Sequence, residues 1–459
     1  MLSNIDIGIV LLFLAIAFFV GIYERGSIDL DKYLVNKRST GQFALIATLV
    51  STYIGSGYAL GISTLGYRGG LLGLYVTISI AIGFLMMAKY FAGPMKNLAD
   101  SLQAHTLGDL FESKYSKRAA LVMAVIVAAI HFLSIALQLT AFSTFVSVFT
   151  NLDLTFSLVV SAGVVLVYSV FGGLHSDIRT DIYQFLVMLL MFVTFFVIVP
   201  GQIDIIESFK SLPTNYLTGT AYDGLVFVIA AIVIAIPFVF SSASIWQRSF
   251  AAKDTRSFKR ALYTGAGCLV IFNILFMLIG VLGKTVFPDI DNPDFVPAHF
   301  IAKFFPVGLA GIMITGFLAT IMSTADTGLI ITASSLSKDV YKRFFKPDLS
   351  DKSLLKLTRW IVAVIGLVGF SIALFVPDIL RLVINSGSIM LITIPALLGL
   401  FAKGSYEKSA FWSLVIGFVS VVVLMFFLPN IAFAPAFILA VATFLLLRRF
   451  PVSRTQAQS

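Results

Sequence analysis

Thr320, Ser323, Thr324 and Thr327 follow the spacing i, i+3, i+4, i+7 inside the run 318–328. On a helix this puts four hydroxyls on one face. Neutral oxygens are hard ligands of the kind that hold hard cations. They suit sodium better than a proton, which needs a titratable group. A single buried serine or threonine often bonds back to the carbonyl one turn earlier; four along one stripe argue for an outward task. Asp326 lies beside that face, and an acid inside an apolar span is a functional candidate by default. It offers a sodium ligand, a proton carrier or the counter-charge for a cationic solute.

Two stretches read as places where a helix breaks in mid-membrane. The run 47–57 (ATLVSTYIGSG) concentrates small, β-branched and hydroxyl residues and carries two glycines. The run 236–244 (IPFVFSSAS) holds Pro237, which lacks a backbone donor. Interrupted helices at matching places in two halves of a chain point to a transporter's central site; close helix packing on small residues is the plainer reading. Carbonyls freed at Ala47 and Val50, meeting the hydroxyl face, would complete a five-oxygen sodium site. The solute would lie between the two breaks, against Ser51, Tyr53, Gly55, Ser56, Gln138, Phe240, Ser241 and Ser242. Asp181 is either a partner of that site or a cap at a helix start near the interface. His131, Gln138, Asn273 and Asn385 are isolated polar groups for which interhelical hydrogen bonds are expected.

The elements that must position these groups are apolar spans. Of 459 residues 59% are hydrophobic and 12% charged, about half the charge of a soluble domain, and the mean hydropathy is +0.99. Only helices satisfy their own backbone within one such span, so an all-α bundle follows. Thirteen spans are expected: 5–23, 41–65, 71–95, 119–149, 154–173, 180–200, 221–246, 262–283, 307–337, 359–376, 379–402, 407–428 and 430–448. The joins are marked by Tyr67-Arg68-Gly69-Gly70, Gly172-Gly173, Pro200-Gly201 and Pro377-Asp378. The whole chain, 1–459, reads as one transmembrane domain with no cleavable leader, Glu24-Arg25 following the first span.

The net charge of +9 does not indicate nucleic acid, because the basic residues sit in short loops. With the N-terminus outside, all but Arg68, Lys210, Lys284, Lys303 and Arg381 of the 32 Lys and Arg fall inside, Arg179 and Arg248 among them. By the positive-inside rule that predicts an outside N-terminus, a cytoplasmic C-terminus and a multi-pass protein of the cell (inner) membrane. Cys268 alone forms no intrachain disulfide and no CxxC site. No Ser-His-Asp set, HExxH or paired acids suggest an enzyme.

At these motifs the chain resembles the sodium:solute symporter family. The resemblance rests on Asp31-Lys32-Tyr33-Leu34-Val35, on residues 168–174 (YSVFGGL), on Thr180-Asp181-Ile182-Tyr183-Gln184 and on Trp246-Gln247-Arg248. Most specific is Met322-Ser323-Thr324-Ala325-Asp326, with 335–341 (SLSKDVY) closing that helix. The resemblance implies a LeuT-type fold of two inverted five-helix repeats, 41–200 and 221–402. One extra helix, 5–23, precedes them and two peripheral helices, 407–448, follow. It also implies sodium on the carbonyls of Ala47, Val50 and Thr320 and the hydroxyls of Ser323 and Thr324. A second cation site would map to Asp181, Ser323, Asp326 and Thr327. The glycine-rich run after Tyr53 is closest to the choline-transporter branch and unassigned bacterial members.

The expected function is symport of a small organic solute with sodium across a lipid bilayer by alternating access, with no other cofactor. Proton coupling through Asp326 is the nearest alternative, followed by a transporter-like sensor acting with a partner chain.

Overall fold

A computed structural model describes residues 2–22, 29–169, 173–221, 224–376, 379–404, 406–428 and 432–448. Glu24-Arg25, Gly172 and Pro377-Asp378 lie outside the described residues. The principal helices in chain order are α1 Asn4–Ile22, α2 Gln42–Tyr53, α3 Ser56–Gly69, α4 Leu72–Met86, α5 Leu107–Lys114 and α6 Lys117–Thr150. Next come α7 Leu154–Ser169, α8 Leu174–Ile198, α9 Gly224–Ser241, α10 Ala243–Ala251, α11 Thr255–Val286 and α12 Leu309–Ser334. Asp351–Phe375, Ile379–Leu391, Glu407–Phe427 and Phe433–Arg448 are α13 to α16. Ten helical segments are long and apolar enough to cross a membrane, and the bent pair α2 and α3 makes an eleventh. The shorter apolar helices α7 and α16 bring the described spans to the thirteen expected.

Both expected breaks are present. Between α2 and α3 the axis bends by 53°, because Ile54 and Gly55 leave the helical region (ψ 68 and −171). Gly55 is needed for closeness rather than for torsion: a Cβ there would stand 2.5 Å from Thr324 Oγ1. Between α9 and α10 the chain leaves the helix at Ser242 (ψ 110). Pro237 does not make this break; α9 runs through it and ends four residues later. α10 then continues to Ala251, past the boundary expected at 246. A short parallel bridge joins Thr40, just before α2, to the stretch just after α10: Thr40 N donates to Ala251 O and Lys253 N to Thr40 O, both at 3.0 Å. The ends of the two broken helices are thereby tied together.

The helix carrying the hydroxyl stripe, α12, is the axle of the bundle. The span of which it forms most is 94% buried over its most apolar window, whereas Leu11, Phe19, Val364 and Phe427 on the outer helices remain exposed, as lipid-facing residues should. α3 and α11 touch backbone to backbone, for a Cβ on Gly66 would meet Met277 O at 2.6 Å. Small residues permit such approaches inside a membrane.

The first residues of α12 lack a local cap, Gly308 being in a positive-φ conformation with no side chain. The missing acceptor comes from α1. Asp6 Oδ1 accepts from the backbone N–H of Gly308 and of Gly311, each at 2.8 Å. A carboxylate at a helix N-terminus satisfies orphan donors and complements the helix dipole.

Candidate functional site

A helix that stops leaves its last carbonyls without donors. In α2 the last standard bond is Ile54 N to Val50 O, at 2.9 Å. The next two carbonyls are met from α12: Ser323 Oγ donates to Ser51 O at 2.7 Å, and Thr324 Oγ1 to Thr52 O at 2.8 Å. Both hydroxyls also lie within reach of Thr320 O, at 3.0 and 3.2 Å. Two hydroxyl and three carbonyl oxygens therefore converge between the helices. Which carbonyls the break frees differs from expectation: α2 continues to Tyr53, so Ala47 and Val50 are still helical. Ala47 O also accepts from Ser51 Oγ at 2.7 Å. The Thr320 hydroxyl bonds back to Phe317 O at 2.8 Å, so of the stripe only Ser323, Thr324 and Thr327 reach other helices.

One turn along α12, Thr327 belongs to a second cluster, centred on Arg248. This arginine is not in a loop, as its place among the cytoplasmic charges had it, but fully buried. Its Nη2 lies 2.8 Å from Thr48 Oγ1, 2.9 Å from Thr52 Oγ1 and 2.8 Å from Thr327 Oγ1. It also lies 2.8 Å from Asp177 Oδ2 and 3.3 Å from Asp181 Oδ2. Asp181 accepts from Thr48 Oγ1 as well, and Thr327 Oγ1 donates to Asp177 at 3.0 Å. Asp181 is thus no helix cap. α8 begins at Leu174, which sets Asp181 about two turns inside the helix. Asp177 was missed with the helix start; i, i+4 spacing to Asp181 was the available signal. Of the four residues mapped to a second cation site, Asp181 and Thr327 lie against the arginine, Ser323 faces α2, and Asp326 is buried.

The residues expected against a solute fall into two groups. Ser56 N donates to Gln138 Oε1 at 2.9 Å, an interhelical bond that caps α3 from α6. Tyr53 packs its ring on Tyr58 (5.4 Å between centroids), Phe84 (4.8 Å) and Phe238 (6.3 Å), bridging the two breaks. Ser51 and Gly55 lie at the α2–α12 contact. Phe240 turns to the other side, packing on Phe91 and Trp246. Ser241 Oγ bonds back to Pro237 O and Ser242 Oγ to Ser244 Oγ. His131 Nδ1 is 2.8 Å from Val127 O in its own helix, not an interhelical partner.

Beyond the spans, α5 is clamped to the end of the α12 helix. Asp109 accepts from Lys338 Nζ at 2.5 Å and Arg343 Nη2 at 2.9 Å. His105 completes the clamp, its Nδ1 3.1 Å from Lys338 Nζ and its Nε2 3.0 Å from Asp31 Oδ1. A neutral ring with the proton on Nε2 serves both neighbours; a protonated one sets N–H against the ammonium. Burial, and then the Lys338 charge, holds the His105 pKa below the ordinary 6.5. The unfolded chain then takes a proton first. The contribution is complete above about pH 6.5 and is lost as pH falls below it. Hydrogen-exchange protection in 107–114, taken relative to the intrinsic rate at each pH, should fall between pH 7.5 and 5.5, and His105→Gln should flatten the response. An unchanged pH response in that variant would count against this role.

A broken helix whose bare carbonyls meet hydroxyls of a buried partner helix is the geometry of an ion-coupled carrier. Comparison with known proteins decides which one. A sequence model of the sodium:solute symporter family matches residues 33–417. The chain belongs to the sodium:solute symporter family. This symporter is 24% identical to the sodium/pantothenate symporter of Escherichia coli (strain K12), over 97% of this chain and 96% of that one. It is 22% identical to the high-affinity choline transporter 1 of Drosophila melanogaster, over 81% and 62%. A substrate-bound, outward-open sodium-coupled sialic acid symporter superposes with a TM-score of 0.80 at 18% identity, covering 98% of this chain and 99% of that one. The fold is therefore of the LeuT type. The symporter is a multi-pass membrane protein that moves a small organic solute with sodium by alternating access.

Proposed function

We propose that sodium is held between α2 and α12, on the hydroxyls of Ser323 and Thr324 and the carbonyl of Thr320, with carbonyls of α2 completing the shell. The observation that carries this is the meeting of those two hydroxyls with the unwound end of α2. Of the two residues whose carbonyls the family resemblance points to, Ala47 sits one turn before Ser51 and Val50 directly before it, while the hydroxyls here reach the carbonyls of Ser51 and Thr52. Sodium takes over contacts now made by hydroxyl protons, so it ties α12 to α2 and favours the outward-open form. The solute then sits between the α2–α3 break and the α9–α10 break, in repeats 41–200 and 221–402. Tyr53, Tyr58, Phe84 and Phe238 offer it an aromatic wall, and Ser56 Oγ, buried with no described partner, a polar contact. Pantothenate, choline and sialic acid, named for the relatives above, are chemically unlike, so likeness does not choose the solute.

With the N-terminus outside, in the cell (inner) membrane, each sodium moved inward gains about 2.3 kcal/mol per 100 mV. The test is thermal unfolding of the purified protein in sodium against potassium. At a hundredfold excess over Kd, sodium should stabilise by about 2.7 kcal/mol. That sodium-specific gain should shrink in Ser323→Ala and Thr324→Ala, beyond the loss of stability in potassium that each deleted hydrogen bond brings. Unchanged sodium affinity in both variants would overturn the assignment. Acid-driven uptake without sodium, abolished in Asp326→Asn, would replace it by proton coupling.

A further inference from the structure

We infer that the guanidinium of Arg248 is a tethered cation filling a second ion site, so that this symporter binds a single sodium. The inference rests on the hydroxyl-site reading above for the sodium that remains. Its own foundation is the shell around one nitrogen. Three hydroxyls, of Thr48, Thr52 and Thr327, and two carboxylates, of Asp177 and Asp181, approach Arg248 Nη2 within 3.3 Å. That nitrogen carries two hydrogens and can serve only some of five oxygens. A shell with more acceptors than the donor can use is built as for a hard cation, which gathers several oxygens at once.

The arrangement is fully enclosed. Arg248, Asp181 and Thr48 are each 0% exposed, and Asp181 Oδ1, turned away from the guanidinium, has no hydrogen-bond partner among the described residues. Two acids at this depth require a positive charge, and α10 supplies one covalently. Thr52 couples the two sites, its hydroxyl accepting from Arg248 and its carbonyl from Thr324. The tethered charge stays with the protein through the cycle. Only the sodium on α12 is carried, and each solute crosses with one ion's charge.

The experiment is a count of bound radioactive sodium by equilibrium dialysis of purified, full-length protein in detergent. Wild type should hold one sodium. Arg248→Gln should hold two, and Arg248→Gln/Asp181→Asn one again. The acquired sodium should survive in Arg248→Gln/Ser323→Ala, where the original is lost; this separates the present inference from the hydroxyl-site reading. Arg248→Lys keeps a tethered charge and should hold one. Two sodium ions in wild type would overturn the inference even if Arg248→Gln failed to fold. So would a folded Arg248→Gln that still binds one, including one that balances its acids by taking up a proton. A wild type that binds none would sink the hydroxyl site instead.

Discussion

Asp177→Ala should yield little folded protein, with stability reduced by about 3–5 kcal/mol. That is the usual cost of removing one partner from a buried ion pair, because the survivor is left charged and desolvated. Here the survivor is Arg248, 2.8 Å from Asp177 Oδ2, and Thr327 Oγ1 loses its acceptor as well. Asp181, farther at 3.3 Å, cannot replace both contacts without drawing the arginine away from Thr327. Asp177→Asn keeps an acceptor for each neighbour and should recover part of the loss. The measurement is monodispersity on size exclusion together with the unfolding midpoint in potassium, which leaves sodium out of the comparison. An Asp177→Ala protein as stable as wild type would mean that the arginine is paired elsewhere.

Gly55→Ala should remove sodium dependence as completely as Thr324→Ala does, although it deletes no oxygen. Its Cβ would stand 2.5 Å from Thr324 Oγ1 and 3.0 Å from both Thr324 Cβ and Cγ2. Rotating Thr324 cannot clear all three contacts, so α12 must retreat from the break and the bond to Thr52 O opens. A tenfold loss of sodium affinity corresponds to about 1.4 kcal/mol, less than the strain of such an overlap in a packed core. Thr324→Ser removes Cγ2 and should return part of the affinity in the Gly55→Ala background. Sodium titrations of the three variants read this directly, and an unaltered affinity in Gly55→Ala would show that the helices meet otherwise.

Spacing alone made the hydroxyl face legible, since Ser323, Thr324 and Thr327 point where a 3.6-residue period puts them. The break at Gly55 was legible from the glycines and hydroxyl residues gathered at 51–57, although the glycine itself serves the close packing that was the plainer reading. What stayed hidden depended on partners far away in the chain. Arg248 reads as a loop charge because it follows an apolar run ended early at Trp246; the first exposed basic residue is Lys253. Asp177 vanished with a helix start placed six residues late, after the glycines near 172. Pro237 drew attention to a break that occurs at Ser242. A freed carbonyl depends on where the last turn closes, which composition does not fix. Ala47 and Val50 were therefore expected free, where the hydroxyls in fact meet Ser51 and Thr52.

The contact between Asp6 and the start of α12 has a practical side. The leading helix, although it lies outside the family match, holds the hydroxyl-bearing helix by its first amides, Gly308 and Gly311. Trimming the protein to a minimal core beginning at α2 would leave those amides without their acceptor and release the first turn of α12. Purification tags, fluorescent fusions and crystallisation truncations are better placed at the other terminus.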